Sequence, residues 1–185
     1  MTLTRSKHKF SVSEYEDMIK FGILAKQDRV ELIRGEIVDK MTIGDNHAAC
    51  VNRLTRLFSR TVADHAIVSI QNPIRLADSR PEPDVALLKP RDDYYASSGP
   101  RAEDVRLIVE VADTSLEYDR EVKGALYAEA GIPEYWIVHL EGKSLLVFRQ
   151  PQPDGSYQHR QTLTRGETID VVSLPGVSLS NQDLF

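Results

Sequence analysis

Three acidic residues lie where the sequence predicts β-strands, and they are the side chains of this chain best suited to chemistry. They are Glu31, Asp84 and Glu110. Glu110 interrupts the apolar run of residues 107–111, where a carboxylate is costly unless a proton, a base or a metal compensates it. A few oxygen ligands completed by water are what Mg²⁺ selects, and such an ion polarises a phosphate and activates bound water. The alternative interpretation is that each acid is an exposed residue at a strand end in an ion pair.

Lys123 is the candidate partner for these acids. The sequence predicts a helix after the Glu110 strand, and Lys123 shares one face of it with Leu126, Tyr127 and Ala130. The apolar members predict that this face meets the sheet, which would bring the ammonium beside Glu110, where it could stabilise charge on a phosphate or orient water. An exposed pair between Asp119 and Lys123, four residues apart, remains the alternative.

The strand that carries Glu110 organises the rest of the predicted fold. Strict alternation assigns Val105, Leu107, Val109 and Val111 to one face, and Arg106, Ile108, Glu110 and Ala112 to the other. Asp84 precedes Glu110 by 26 positions, which leaves room for a strand, a long loop and a neighbouring strand. The two carboxylates can therefore meet at one end of the sheet.

The remaining elements follow from hydrophobic periodicity, capping residues and turn residues. Helices are predicted from residue 11 or 13 to 22, over 46–64 and over 116–130, and a hairpin at 30–38 turns at Arg34 and Gly35. Further strands are predicted at 67–70, 74–76, 85–88, 107–111, 135–139, 145–149, 157–163 and 168–172, with a polar loop at 89–104. Strands, then a helix, then strands indicate an α/β layer with a mixed sheet.

Length and composition limit the class of protein. The 185 residues, 41% of them hydrophobic, fit a single domain over residues 1–185 with a substantial core. The formal charge of −5 argues against gripping nucleic acid by a broadly basic surface, so any such contact must be local. One cysteine, Cys50, excludes an intrachain disulfide, and no run resembles a signal peptide or a membrane span. We therefore expect a cytoplasmic protein that does not contact membranes.

Three segments of the chain resemble the Uma2 (DUF820) endonuclease family, which has the PD-(D/E)xK restriction-endonuclease-like fold. They are RVELIRGEIVDK, PEPDVALL and LIVEVADTSLEYDREVKGALYAEAGIPEYWIVHL. The resemblance implies that Glu31 is the first acid, Asp84 the PD aspartate and Glu110 the acid of the (D/E)xK element. Ala112 stands where that element has its lysine, and Lys123 is the residue that takes over its role. Because Ala112 is small and shares a face with Glu110, it leaves room for a lysine from the neighbouring helix.

Several other residues are secondary candidates. His47 shares a helix face with Val51 and Leu54 and could bond a site carboxylate or a phosphate, although a histidine on an apolar face is more often a satisfied core residue. Gln71, near a strand end, could line the same cleft. A stripe on the second predicted helix could contact a nucleic-acid backbone, or could be a solvated face; it consists of Arg53, Arg56 and Arg60.

The sequence therefore favours an endonuclease that hydrolyses DNA phosphodiesters with Mg²⁺, for which Mn²⁺ can substitute. Glu31, Asp84 and Glu110 would hold the metal and Lys123 would assist the water or the phosphate. The alternative is a binding or structural module that keeps the nuclease fold with little turnover. A homodimer is expected by analogy with enzymes that cut two strands.

Overall fold

A computed structural model describes residues 7–185 of the chain. The helices are α1 (Val12–Lys20), α2 (Asp45–Thr61) and a composite helix α3 formed by the consecutive stretches Leu116–Tyr118, Asp119–Lys123 and Gly124–Glu129. The strands are β1 (Val30–Ile33), β2 (Glu36–Asp39), β3 (Ile67–Ile70), β4 (Val85–Leu88), β5 (Val105–Ala112), β6 (Glu134–His139), β7 (Ser144–Pro151), β8 (Tyr157–Leu163), β9 (Thr168–Asp170) and β10 (Ser178–Ser180). Short 3₁₀ turns lie at Lys26–Asp28, Ala63–His65, Ala102–Asp104 and Asn181–Leu184.

A six-stranded sheet in the order β3-β4-β5-β6-β7-β8 forms the centre of the molecule. All its neighbouring strands are antiparallel except β5 and β6, which run parallel. Parallel neighbours require a crossover, and α3 supplies it. The pairs β1-β2 and β9-β10 form two smaller antiparallel sheets. The prediction of an α/β layer with a mixed sheet is therefore confirmed.

Two apolar cores lie on opposite faces of this sheet. Residues of α2, including Leu54 and Phe58, pack against Leu107, Val109 and Val111 of β5. Residues of α3, including Leu126 and Tyr127, pack on the other face with Ile108 and Ala112. Because Glu110 alternates with Val109 and Val111, its side chain points toward the α3 side.

Helix α3 is not a regular α-helix along its length. Residues Asp119–Lys123 are π-helical, and the backbone N–H of Gly124 bonds the carbonyl of Asp119. Such π segments act as one-residue insertions and are frequent at functional sites. Both Asp119 and Lys123 are buried in this segment.

Helix α1 begins with a capping box, in which Ser11 and Glu14 bond each other's backbone. None of the helices within residues 7–185 combines the length and apolar content that crossing a bilayer requires.

Four sequence predictions need correction. Residues 74–76 form no strand, because Leu76 N–H bonds Ser79 O in a tight turn. A bulge where β4 pairs with β5 shifts the alternation, so Val105 packs in the core on the α3 side and not with Leu107. The strand predicted at 168–172 is shorter and pairs with the unpredicted β10. Helix α2 begins at Asp45 after Gly44 and ends at Thr61, three residues before its predicted end at residue 64.

Candidate active site

Asp84 and Glu110 meet across two neighbouring strands at one end of the sheet. Val85 pairs with Val109, which places Asp84 directly opposite Glu110. The N–H of Asp84 donates to Glu110 Oε2 at 3.2 Å, and the N–H of Val111 donates to Asp84 Oδ2 at 2.9 Å. Each carboxylate is therefore fixed by the backbone of the other's strand, and the prediction that these acids meet is confirmed.

Glu31 reaches the same place from the β1-β2 hairpin. Its Oε2 accepts the N–H of Glu82, two residues before Asp84, at 3.1 Å. Glu82 in turn pairs with Lys40, which follows β2. The Pro81 to Asp84 segment thus anchors the first acid while it positions the second.

Lys123 lies between two of these acids. Its Nζ donates to Glu110 Oε1 at 3.0 Å and lies 3.6 Å from Glu31 Oε1. The Tyr127 hydroxyl, one helical turn further, donates to the same Glu110 Oε1 at 2.9 Å. Lys123 is only 8% exposed, so the alternative of an exposed Asp119–Lys123 pair is wrong.

His47 and Gln71 both contact Asp84. His47 Nε2 is 2.9 Å from Asp84 Oδ2, and Gln71 Nε2 donates to Asp84 Oδ1 at 3.2 Å. The Nδ1 of His47 is buried without a hydrogen-bond partner among residues 7–185. Gln71 has a left-handed backbone with φ of 50°, a costly conformation for a residue with a side chain. The structure therefore brings both secondary candidates to the predicted site.

Two further side chains belong to the site and were missed as functional candidates. The sequence pattern places Tyr127 only on the apolar face of its helix, although its four-residue spacing from Lys123 marks it as a neighbour of that side chain. The sequence pattern offers Asp119 only as a surface partner of Lys123, whereas its carboxylate is buried and accepts a hydrogen bond from Ser115. No sequence signal marks the π-helical segment that buries Asp119.

The three arginines of α2 lie outside the site. Arg53, Arg56 and Arg60 are all exposed on the face of α2 that points away from the sheet. Arg53 makes one long hydrogen bond, at 3.5 Å, to the carbonyl of Leu184. The stripe is therefore a solvent-accessible basic surface on the helix whose first turn carries His47.

The acids open into a cleft of about 120 Å³ that is strongly acidic. Seven carboxylates and three cationic side chains line it, a formal charge of −4 when every acid is ionised and His47 is neutral. The acids are Glu31, Asp39, Glu82, Asp84, Glu110, Asp113 and Asp119, and the cations are Arg29, Lys40 and Lys123. A phosphate cannot enter such a field favourably unless further positive charge enters with it.

The protonation of the site groups follows from burial and from their partners. Burial raises the pKa of Glu110 to about 8, and the charge of Lys123 opposes this rise. Burial also raises the pKa of Asp119. Burial would raise the pKa of Asp84 as well, but its hydrogen bond with His47 and the charge of His47 lower it overall. The same pair raises the pKa of His47 against the effect of burial.

These shifts predict how stability depends on pH in the absence of metal. Glu110 binds a proton more tightly in the folded state, so its contribution to stability is present below pH 4.5 and is lost as the pH rises to about 8. The free energy of unfolding should fall across this window by at least about 1 kcal/mol, since one pKa unit corresponds to about 1.4 kcal/mol. Urea unfolding at a series of pH values measures it.

The matched control for this prediction is Glu110→Gln. His47 and Asp119 change stability in the same direction, because both pKa values are raised. Only the Glu110 contribution disappears in the variant, so its profile should be flatter than that of the unmodified chain. Two parallel profiles would contradict the assignment to Glu110.

The donor set fits a hard divalent cation held by few protein ligands. Asp84 and Glu110 present carboxylate oxygens from adjacent strands to one water-accessible cleft, and Glu31 lies beside them. No three His, Cys, Asp or Glu side chains within residues 7–185 form a ready-made metal cage. Mg²⁺ commonly takes one or two carboxylates and keeps several waters, which agrees with this arrangement.

Comparisons with known proteins agree with this fold. A family model described as "Uma2: Putative restriction endonuclease" matches residues 12–182. The chain is also similar to a solved structure from Anabaena variabilis, described as "a putative nuclease belonging to DUF820", with 18% sequence identity and a TM-score of 0.70 over 89% of this chain and 94% of that one. No match was found among curated proteins. The structural likeness confirms the predicted nuclease-type fold.

Proposed function

Since this chain belongs to the Uma2 family, whose model carries the description "Putative restriction endonuclease", we propose that it hydrolyses DNA phosphodiester bonds with the help of a divalent cation. The observation that carries the proposal is the contact of Lys123 with Glu110 beside Asp84, where all three line an acidic cleft. A structural ion pair would need no opening to solvent and no further acids. This arrangement has both.

Asp84 and Glu110 would hold Mg²⁺, with Mn²⁺ as a substitute, and Glu31 would bind it directly or through water. When bound, the cation supplies Lewis-acid polarisation of the phosphate and lowers the pKa of a coordinated water. It also offsets the net negative charge of the cleft, which otherwise repels the substrate.

Lys123 would act on the scissile phosphate or the attacking water. Its ammonium is already paired with Glu110 and close to Glu31, so it is charged and held in one position before the substrate arrives. Such preorganised positive charge stabilises the charge that develops on a phosphate in the transition state. Tyr127 keeps the Glu110 carboxylate oriented by donating to the oxygen that Lys123 also contacts.

His47 and Gln71 would orient Asp84. His47 contacts Oδ2, which also accepts the N–H of Val111, and Gln71 donates to Oδ1, so both carboxylate oxygens are held in place at the cleft. Their role is therefore positioning, and we assign no proton transfer to His47.

A second candidate function is a nuclease-fold binding module with little turnover. It is favoured by one observation: the oxygens of Asp84 and Glu110 already accept protein hydrogen bonds, and no three-ligand cage is present among the described residues. A cation must then compete with these donors.

Metal titration separates the two functions. Calorimetry with Mg²⁺ and Mn²⁺ should show one saturable site, and supercoiled plasmid should be nicked or linearised only when metal is present. Chelation with EDTA should abolish the cleavage. A chain with no saturable metal binding and no cleavage in Mn²⁺ would favour the binding module.

DNA contact is proposed to include the arginine stripe of α2. Changing Arg56 and Arg60 to Glu should weaken binding of a duplex by at least about tenfold and reduce the slope of log K against log salt by roughly one for each lost phosphate contact. Fluorescence anisotropy at several salt concentrations measures both quantities.

The control for the stripe is Arg165→Glu, which changes the charge of an exposed arginine beyond β8. A change of net charge alone would weaken DNA binding equally at both sites. If each substitution on α2 and Arg165→Glu weaken DNA binding by the same factor per residue, α2 has no special role. DNA and a second copy of the chain are the partners we propose for the protein.

A further inference from the structure

The two edges of the central sheet differ in how they meet solvent. At one edge, β8 exposes the polar run Gln158, His159, Arg160, Gln161 and Thr162. At the other edge, β3 has the sequence Ile-Val-Ser-Ile, and all four residues are half-buried. Proteins protect free edges with charged side chains, and β8 follows this rule. The β3 edge does not.

The lack of charge extends beyond β3. Residues 66–74 contain no charged side chain, in a chain of which 28% is charged. Within residues 7–185, no backbone group bonds the outer edge of β3. An uncharged strand with unbonded N–H and C=O groups fits another strand better than it fits a helix or a small molecule.

The alternation of hydrogen bonds identifies which groups are free. Gln71 N–H bonds Asp84 O, so Ser69 and Ile67 face β4 in the same way. The N–H and C=O groups of Val68 and Ile70 therefore point outward. These two residues set the register that a partner strand can adopt.

A loop beside β3 displays an aromatic side chain. A groove of about 320 Å³ runs along Ile67, Val68 and Ser69 and is bounded by Tyr94 and Tyr95. Both tyrosines have left-handed backbones, with φ of 48° and 65°, and Tyr94 is 76% exposed. Arg91 stacks on the Tyr95 ring at 3.9 Å and holds it in place, while Tyr94 faces solvent. Exposed tyrosines at the rim of a groove are frequent anchors of interfaces.

We propose that β3 is the pairing edge of a symmetric dimer, in which β3 of two copies of this chain form one antiparallel ladder across a twofold axis. Only Val68 and Ile70 have outward backbone groups, and the register that bonds both in each copy places Val68 of one copy opposite Ile70 of the other. Ser69 then lies opposite itself on the axis. A second copy is favoured as occupant because this register places apolar residues together and brings no like charges together. The two six-stranded sheets become one continuous sheet, and Tyr94 flanks the new ladder on each side.

Ser69 provides a direct test. Ser69 and its counterpart in the second copy form a non-hydrogen-bonded pair, whose Cα atoms are about 4.5 Å apart. This distance is within the range that a disulfide spans. Ser69→Cys should form a disulfide-linked dimer under mild oxidation. The matched control is Gln161→Cys on β8, and the unmodified chain is a second control, because its one cysteine, Cys50, is fully buried. Non-reducing gel electrophoresis of the folded proteins measures the product.

Sedimentation velocity of the unmodified chain, without metal or DNA, gives an independent reading. It should show a dimer, and Ser69→Glu should weaken dimerisation at least about tenfold, because two carboxylates would face each other on the axis. A monomeric unmodified chain would overturn the proposal, as would a Ser69→Cys protein that cross-links no faster than the Gln161→Cys control. Neither measurement depends on catalysis, so the dimer and the proposed nuclease function fail or succeed separately.

Discussion

Changing Asp84 to Asn or Glu110 to Gln is expected to lower the rate of metal-dependent DNA cleavage by at least about 10²–10³, because each change removes one of the two carboxylates that would hold the cation. The substitutions keep the shape of the side chains, and the backbone bonds from Asp84 and Val111 can still be accepted by an amide oxygen. Plasmid cleavage in Mg²⁺ and in Mn²⁺ measures the rate, and calorimetry measures the metal affinity.

Matched controls come from exposed acids of the same type. Asp92→Asn and Glu141→Gln remove one negative charge from the surface and should leave cleavage unchanged. Circular dichroism and urea unfolding should show that Asp84→Asn and Glu110→Gln remain folded. If a folded Glu110→Gln protein still cut DNA at the rate of the Glu141→Gln control, the proposed site would be wrong.

The second large effect is expected when Lys123 is removed from α3 and a lysine is then placed on β5. Lys123→Met should lower cleavage by about 10²–10³, because the preorganised charge beside the phosphate is lost. Because the charge of Lys123 lowers the pKa of Glu110, its loss raises that pKa further, and metal affinity must be measured on the same samples to separate this effect from the loss of the ammonium. Adding Ala112→Lys to this variant should raise its cleavage rate at least about tenfold, since Ala112 shares the face of Glu110.

The control for this experiment is Ala112→Lys in the presence of Lys123. That protein would place two ammonium groups next to Glu110, and it should be less stable than either the unmodified chain or the double variant. A double variant that is folded and binds metal, yet cleaves no faster than Lys123→Met, would show that a lysine from the strand cannot replace one from the helix. Chemical unfolding and initial rates on the same samples distinguish these outcomes.

The positions of the main site residues could be predicted because they depend on local patterns. Alternation along β5 predicts the face on which Glu110 lies, and the distance in sequence to Asp84 fits one loop between adjacent strands. The three- and four-residue spacing along α3 predicts that Lys123 faces the sheet. Each of these inferences needs only the periodicity of one element.

What escaped prediction depends on interactions between elements. Val105 changes sides because a bulge forms only when β5 meets β4, and Asp119 is buried because α3 becomes π-helical where it packs on the sheet. Strand β10 has only three residues, and it pairs with β9 because the chain reverses direction between them. A segment this short carries no periodic signal. The contact of Glu31 with Glu82 likewise joins segments that are 51 positions apart.

In the site we propose, the lysine comes from α3, whereas the standard motif has the acid and the lysine on one strand. When the acid and the lysine share a strand, their distance is fixed by the backbone. Here the distance between Glu110 and Lys123 depends on how α3 sits on the sheet. A movement of α3 on the sheet would therefore change the distance between the ammonium and the carboxylate while both strands of the acid pair stay in place.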